Sequence, residues 1–479
     1  MLRYLFAKLF SRLFHRQGEP TPGRPREYPS QGVAYPYALA AFLFFGIQSL
    51  VATAGALDQV IPDLPVPVPF EVGRSIHLNL AIFWPLLGAM GLAYYFFVAE
   101  AGTDLASRRL ARGQFLIFTL ILLLDLGALS LKLTEGREYL EAIPPLDWAL
   151  VLASVIFAYN LGRTYLKHGV PRGRPTLLAF LLGAITLVAF FVPNLFFYPH
   201  PAADEIVKFW VVHLWEEGSL ELVATAVLAA VLLAVLGEGR AAIEGALWLE
   251  LFLVVASSIL STAHHYYWIG LPSYWMWIGG VFSGLQLVPI LLLTFSAAKG
   301  FRRGRWRRLD PASKLSLAMV ASSVFYHLTG AGLLGFTLAI PRLNLYAHGT
   351  YLTSAHAHLA LFGAFGLMIL AGSFYVLTRH LELSRAEGRR AWLGLALVNL
   401  GLVVMGGALA LAGFLQAYLW RVVGGDFMEV QGLIRPYLGL RAAGGAFFAV
   451  GDLLLVWAIL APAWRQRHLF LRELAFWRA

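Results

Sequence analysis

The chain has 479 residues, of which 59% are hydrophobic and 13% charged, about half the charged share of a soluble domain. At about 20 residues per span, twelve spans would use half the chain and leave no room for a sizeable soluble domain. The net charge of +10 lies in short connections between apolar segments, which argues topology and not nucleic-acid binding; the absence of cysteine excludes disulfides, iron–sulfur clusters, thiolate zinc sites and a covalently attached c-type haem.

The basic stretch 1–26 lacks the apolar core and cleavage site of a signal peptide, so residues 1–35 are expected to form a cytoplasmic tail. Apolar runs follow near residues 36–57, 77–98, 115–132, 146–167, 176–198, 207–236, 243–267, 275–298, 314–340, 346–377, 391–415 and 440–464. The expected fold is all-α: a polytopic bundle of about twelve transmembrane helices, one catalytic membrane domain over 36–464, with a cytoplasmic tail over 465–479. Lys and Arg collect in alternate connections: Arg108, Arg109 and Arg112; 163–174; Arg240; 299–308; 379–390; Arg465 and Arg467. These loops and both termini should face the cytoplasm. The opposite connections 58–73 and 134–145, the second holding Glu135, Glu138 and Glu141, should face outward.

A strongly polar side chain inside a bilayer costs at least ~2.5 kcal/mol on insertion scales, so it must face a partner or a cavity. His77 opens the second segment, His213, Glu216, Glu217 and Glu221 lie early in the sixth, His264 and His265 end the seventh, and His348, His356 and His358 lie early in the tenth. With the expected orientation, all of them gather at one depth in the outer half of the membrane. His213 and Glu217, four apart, share a helix face and can reach one ion. Neighbours such as His264 and His265 diverge by about 100°, yet their imidazoles can converge at a helix end. Together these residues offer three nitrogens and one oxygen, and a carboxylate beside three imidazoles shifts preference from copper toward iron.

His356 and His358 lie about 200° apart around a helix and cannot share an ion. Each could hold a different planar cofactor, with the helix wedged between two haems. One haem would be six-coordinate, with His77 as the natural second ligand, and the other would turn its free face to the metal.

The strings HLWEEGSLELV (213–223), HHYYWIGLP (264–272) and HGTYLTSAHAHLALFGAFG (348–366) resemble the large catalytic subunit of bacterial cytochrome c-dependent nitric oxide reductase, in the haem-copper oxidase superfamily. GRSIHLNLAIFWPLLGAMGLAYY (73–95) and EGREYLEAIP (135–144) fit the same family. The resemblance implies a subunit I-like fold with two haems b and one non-haem iron. It implies that His77 and His358 ligate the low-spin haem, His356 the high-spin haem, and His213, His264, His265 and Glu217 the iron. Glu217 stands where some oxygen-reducing relatives carry a tyrosine crosslinked to a copper ligand.

The family usually has a glutamate where this chain has Gln286, which cannot exchange a proton near neutral pH. Glu221, one turn beyond Glu217, is the expected substitute. Gln286 is then either a hydrogen-bonding neighbour of the iron ligands or a step in a proton path through a bound water. Glu138 matches a family position associated with calcium near the haem propionates, with an exposed acidic loop as the alternative. Arg137 could pair with a propionate, and His348 and Arg74 are weaker candidates for the same edge. His15, His168, His200, His327, His380 and His468 are assigned to interfaces or loops.

The implied reaction is reduction of nitric oxide to nitrous oxide in the bacterial inner membrane, with NO entering through the lipid. Without cysteine, the chain needs an outside electron donor, a membrane-anchored cytochrome c. A site in the outer half favours protons from that side, although Asp125, Glu244 and Glu250 also lie in or near helices. Two alternatives stand: a terminal oxygen reductase of the same superfamily, and a non-redox transporter, which leaves the HAH spacing unexplained.

Overall fold

The computed structural model describes residues 28–61, 64–66, 68–137, 139–237, 239–288, 291–292 and 305–474. Among them there is no strand. Eleven helices are long and apolar enough to cross a membrane: α1 Pro29–Val60, α2 Phe70–Ala101, α3 Arg108–Ser130, α4 Pro144–Tyr165, α5 Pro175–Leu195, α6 Pro201–Leu236, α7 Arg240–His265, α9 Pro311–Ala339, α10 Tyr351–Thr378, α11 Arg385–Val422 and α12 Phe427–Arg465. Between α7 and α9, α8 is helical over Ser273–Leu285, and the rest of the expected run 275–298 lies partly outside the described residues. The all-α bundle of about twelve helices is thus borne out.

Several boundaries differ from expectation. α1 starts at Pro29 inside the expected tail, and α12 starts at Phe427, well before 440, because the Asp426 side chain caps it by accepting from the amides of Met428 and Glu429. The expected run 346–377 is broken: a short helix Pro341–Ala347 stops before His348, and α10 begins at Tyr351 after the left-handed Gly349. His348 is therefore not on the helix that carries His356 and His358.

The most apolar stretches of α2, α6 and α10 are 94%, 89% and 83% buried, against 50% or less for the other spans. These three form the inner column, and with the end of α7 they carry all the residues singled out by intramembrane polarity except His348. Three of the helices are interrupted by π-helical turns, Leu214–Leu220 in α6, His327–Leu334 in α9 and His358–Gly366 in α10, and α11 ends in a fourth, Ala417–Val422. Such turns insert a residue into the i→i−4 ladder and re-aim side chains, and they concentrate at functional sites. At the end of α2, buried Glu100 takes Arg174 at 3.1 Å and Arg240 at 2.9 Å, which ties α2 to the starts of α5 and α7.

α11 and α12 run antiparallel with backbones in contact at two glycine pairs spaced by seven residues. A Cβ on Gly401 would stand 2.7 Å from the Gly444 carbonyl, and one on Gly394 2.7 Å from that of Gly451. Small residues at a helix crossing allow this approach where lipid gives no hydrophobic drive. Gly401→Val should part the two helices at a cost of about 1–3 kcal/mol; thermal melting of the detergent-solubilised protein checks it, and an unchanged transition would contradict the close packing.

Candidate metal centre

Four side chains from two helices converge. His213 closes the α-helical first half of α6, and the π-turn after it brings Glu217 back beneath it, with Oε1 3.3 Å from His213 Nδ1. α7 ends in a tight 3-10 turn, Thr262–His265, which swings both imidazoles inward. Their Nε2 atoms stand 3.6 and 3.9 Å from the same Glu217 oxygen, and His265 Nε2 is 3.1 Å from His213 Nδ1. One ligand atom from each of the four can be chosen so that all lie within 4.8 Å of one another.

Ligand atoms about 2.1 Å from a shared ion stand roughly 3–4 Å apart, so the set fits one ion. The outer partners fit as well. His213 Nε2–H donates to the Ser258 carbonyl at 2.8 Å, which leaves Nδ1 with the free electron pair, while Ser261 Oγ lies 2.9 Å away. The turn is anchored from outside the span: Tyr266 Oη donates to the Ile206 carbonyl at 2.9 Å, and Tyr267 Oη shares its one hydrogen between the carbonyls of Met276, at 2.9 Å, and Ala339. Burial pushes both phenols up, so they remain donors at any ordinary pH.

The other two histidine positions divide as their spacing requires. His358 faces His77 of α2 with ring centroids 6.1 Å apart and planes 24° from parallel. Two imidazoles on opposite faces of one iron, with bonds of about 2 Å and ring centres about 1 Å beyond each nitrogen, would stand about 6 Å apart. The pair therefore fits a bis-histidine haem. His358 Nδ1–H donates to the Ser354 carbonyl at 2.7 Å, and His77 Nδ1 lies 3.3 Å from Gln48 Nε2, whose amide oxygen accepts from Trp84 at 2.6 Å. The Ser354 carbonyl takes the Nδ1–H of His358 and so leaves its Nε2 with the free electron pair. His356 looks the other way, toward α9: its Nδ1–H donates to the Gly330 carbonyl at 2.9 Å. Ser323 and Ser316 of α9 donate to the Ala364 and Ala371 carbonyls of α10 at 2.6 and 2.8 Å and fix the two helices together.

The model of the family described as cytochrome C and quinol oxidase polypeptide I matches residues 32–447. The chain belongs to that family. It is similar to a nitric oxide reductase subunit of Stutzerimonas stutzeri, 33% identical over 89% of this chain and 93% of the relative. The cytochrome c oxidase subunit 1 homolog of Agrobacterium tumefaciens (strain T37) is 25% identical over 91% of this chain and 84% of the relative. The Cbb3-type cytochrome c oxidase subunit CcoN1 of Stutzerimonas stutzeri is 24% identical over 80% and 84%. In fold the chain resembles a solved heme-copper terminal oxidase dimer, with a TM-score of 0.70 over 91% of this chain and 84% of the other at 14% identity. The resemblance read from the histidine motifs is borne out.

Other members of the expected set fall elsewhere in this oxidase-family bundle. Glu138 lies outside the described residues. Arg137 has its guanidinium on the Asn194 and Phe196 carbonyls at 2.8 and 3.0 Å and on Asp204 at 2.8 Å, in the wall of an outer cavity of about 610 Å³. Those donors are spent within the loops, so the structure gives no support to Arg137 as a propionate partner. His348 stacks on Trp268 at 5.3 Å, and its carbonyl accepts from Arg421 at 3.2 Å. Arg74 stands within electrostatic range of His77. The Gln286 amide nitrogen is shielded and has no partner among the described residues.

Two residues escaped the sequence reading. His327, expected at an interface or loop, lies inside the bundle with Nε2 3.7 Å from Glu221 Oε1. Arg441 of α12 is electrostatically close to both His77 and His358, and its shielded Nη1 has no hydrogen-bond partner among the described residues. An arginine nitrogen left unpaired beside the two-histidine gap fits the carboxylate edge of a haem. Its single position in a 39-residue helix carried no motif, although an arginine well inside an apolar run was itself a signal.

Tyr267→Phe removes the hydroxyl that ties the turn to the Met276 and Ala339 carbonyls and so frees the turn that presents His264 and His265. A loss of about 1–3 kcal/mol in stability and faster metal loss to a chelator are expected, with metal content against time as the measurement.

Proposed function

We propose that the chain is the catalytic subunit of a nitric oxide reductase, an oxidoreductase carrying out 2 NO + 2 e⁻ + 2 H⁺ → N₂O + H₂O. The observation that carries this reading is the carboxylate of Glu217 among the three imidazoles. A fourth, anionic oxygen ligand suits iron better than the copper expected of an oxygen reductase, and the 33% identity to the Stutzerimonas stutzeri nitric oxide reductase chain supports it. The transporter reading has no use for three imidazoles and a carboxylate converging on one point beside a facing pair of imidazoles.

His213, His264, His265 and Glu217 would hold the non-haem iron, His77 and His358 the low-spin haem b, and His356 the high-spin haem b. When bound, these groups supply the redox chemistry, bring two NO molecules within coupling distance and stabilise negative charge on oxygen. The chain supplies the rest. The Ser258, Ser354 and Gly330 carbonyls fix which imidazole nitrogen is free in His213, His358 and His356. Arg441 would hold a haem carboxylate, and the surrounding apolar helices keep bulk water away while admitting an apolar gas. Glu138 is kept as the calcium ligand that the family resemblance implies.

Electrons would come from a membrane-anchored cytochrome c docked on the outward face, since no cysteine pair exists here to attach a haem c. The alternation of basic loops supports an inner-membrane protein with cytoplasmic termini.

Glu217→Ala should remove the non-haem metal and depress NO consumption beyond the roughly 100-fold that loss of an outer partner of a metal ligand costs, while the low-spin haem spectrum persists. Metal and haem analysis together with NO consumption tests this; copper in place of iron, or retained turnover, would sink it. A Cβ on Gly335 would stand 2.7 Å from His356 Cε1, so Gly335→Val should drive that ring off the Gly330 carbonyl. The expected result is loss of the high-spin haem signal with the low-spin signal intact.

A further inference from the structure

α6 and α7 carry a second polar set beyond the metal ligands. On α6, Thr225 follows Glu221 by four residues and shares its face, in the α-helix that resumes after the π-turn holding Glu217. On α7, Glu250, Ser257 and Ser261 recur at intervals of seven and four, again on one face. Ser261 ends that row at the metal centre, with its hydroxyl 2.9 Å from His213 Nε2. Glu250 lies about four turns from His264, near the middle of α7.

The two rows meet. Thr225 Oγ1 stands 3.3 Å from Glu221 Oε1 and 3.4 Å from Glu250 Oε1, so one hydroxyl lies between the two carboxyl groups. His327 of α9 closes the group against Glu221. Glu250 is 1% exposed and Ser257 0%, yet Glu250 Oε2 and Ser257 Oγ have no hydrogen-bond partner among the described residues. Buried polar atoms are rarely left so, and two of them along one lane mark places for water and for a moving proton. Two buried carboxyl groups gathered on one hydroxyl cannot both be ionised cheaply, which favours one proton held between them.

We propose that Glu221 and Glu250 hold one shared proton as a store for the metal centre, reached along Ser257 and Ser261. The proposal rests on the reading that the centre consumes protons together with NO. In the step, the O–H bond of the pair breaks and its proton passes to water in the lane. The lane water becomes hydronium and two carboxylates remain beside His327 until a hydronium ion from bulk solvent re-forms the O–H bond and leaves water; no electron moves. In this chain the store stands in for the missing carboxyl at Gln286.

Infrared difference spectra of the reduced and oxidised complex, with its electron-donor partner in place, test the pair directly. A protonated-carboxyl band is expected in the native protein, lost in both Glu221→Gln and Glu250→Gln because each removes half of one unit, and shifted in Thr225→Val. Separate bands lost one by one, or no band that responds, would overturn the shared proton. Glu250→Gln should also slow NO consumption by about tenfold or more, with haem and metal content and low-spin haem reduction unchanged and partial recovery in Glu250→Asp. Native turnover in Glu250→Gln would overturn the store while leaving NO reduction standing. A native complex that consumes no NO would overturn the functional reading, and the infrared bands would still decide the pair. If Glu250→Gln does not assemble, the Thr225→Val shift decides.

Discussion

The dependence of the structure on one constraint is plain: a polar side chain inside an apolar bundle must find a partner there, because neither lipid nor solvent supplies one. His213, Glu217, His264 and His265 satisfy it by converging on a single point. His77 and His358 satisfy it by facing each other across a haem-sized gap. The innermost helices carry most of these residues, since a ligand-bearing face turned outward would be uncompensated.

α10 shows how one helix serves two sites. A separation of two residues sends His356 toward α9 and His358 toward α2, and each ring is fixed by a carbonyl of the bundle. The π-turn that starts at His358 is part of this arrangement, as the one after His213 is part of the metal centre. Local irregularity in α6, α9 and α10 lies at the depth of the ligands, where a regular ladder would aim side chains elsewhere. Serine hydroxyls of α9 donating to α10 carbonyls then hold the two helices in register.

The candidate site was legible to the extent that spacing decides direction. His213 and Glu217 at four residues, and His356 and His358 at two, divide the histidines into one metal and two further sites from helical period alone. The convergence of His264 and His265 was less secure, since adjacent helical residues diverge, and it depends on the tight turn that ends α7. His327 and Arg441 were passed over because each is alone in its helix, and partnership across helices leaves no trace in spacing. His348 was placed on the wrong side of a helix break, for apolar composition runs on through residues 341–347 where the backbone does not. Arg137 had the chemistry for a propionate, but nearby loop carbonyls and Asp204 take its donors.

By itself the sequence determined the apolar spans, their approximate number and the types of the candidate ligand residues, because these follow from apolar length, intramembrane polarity and helical period. Tertiary structure alone decided which helix meets which. It set the 6.1 Å between His77 and His358, the approach of Glu221 to His327 and, around Thr225, to Glu250, and the glycine-to-glycine approach of α11 and α12. Those are relations between segments far apart in the chain, settled by packing and by the pairing of buried polar atoms, and no local pattern encodes them.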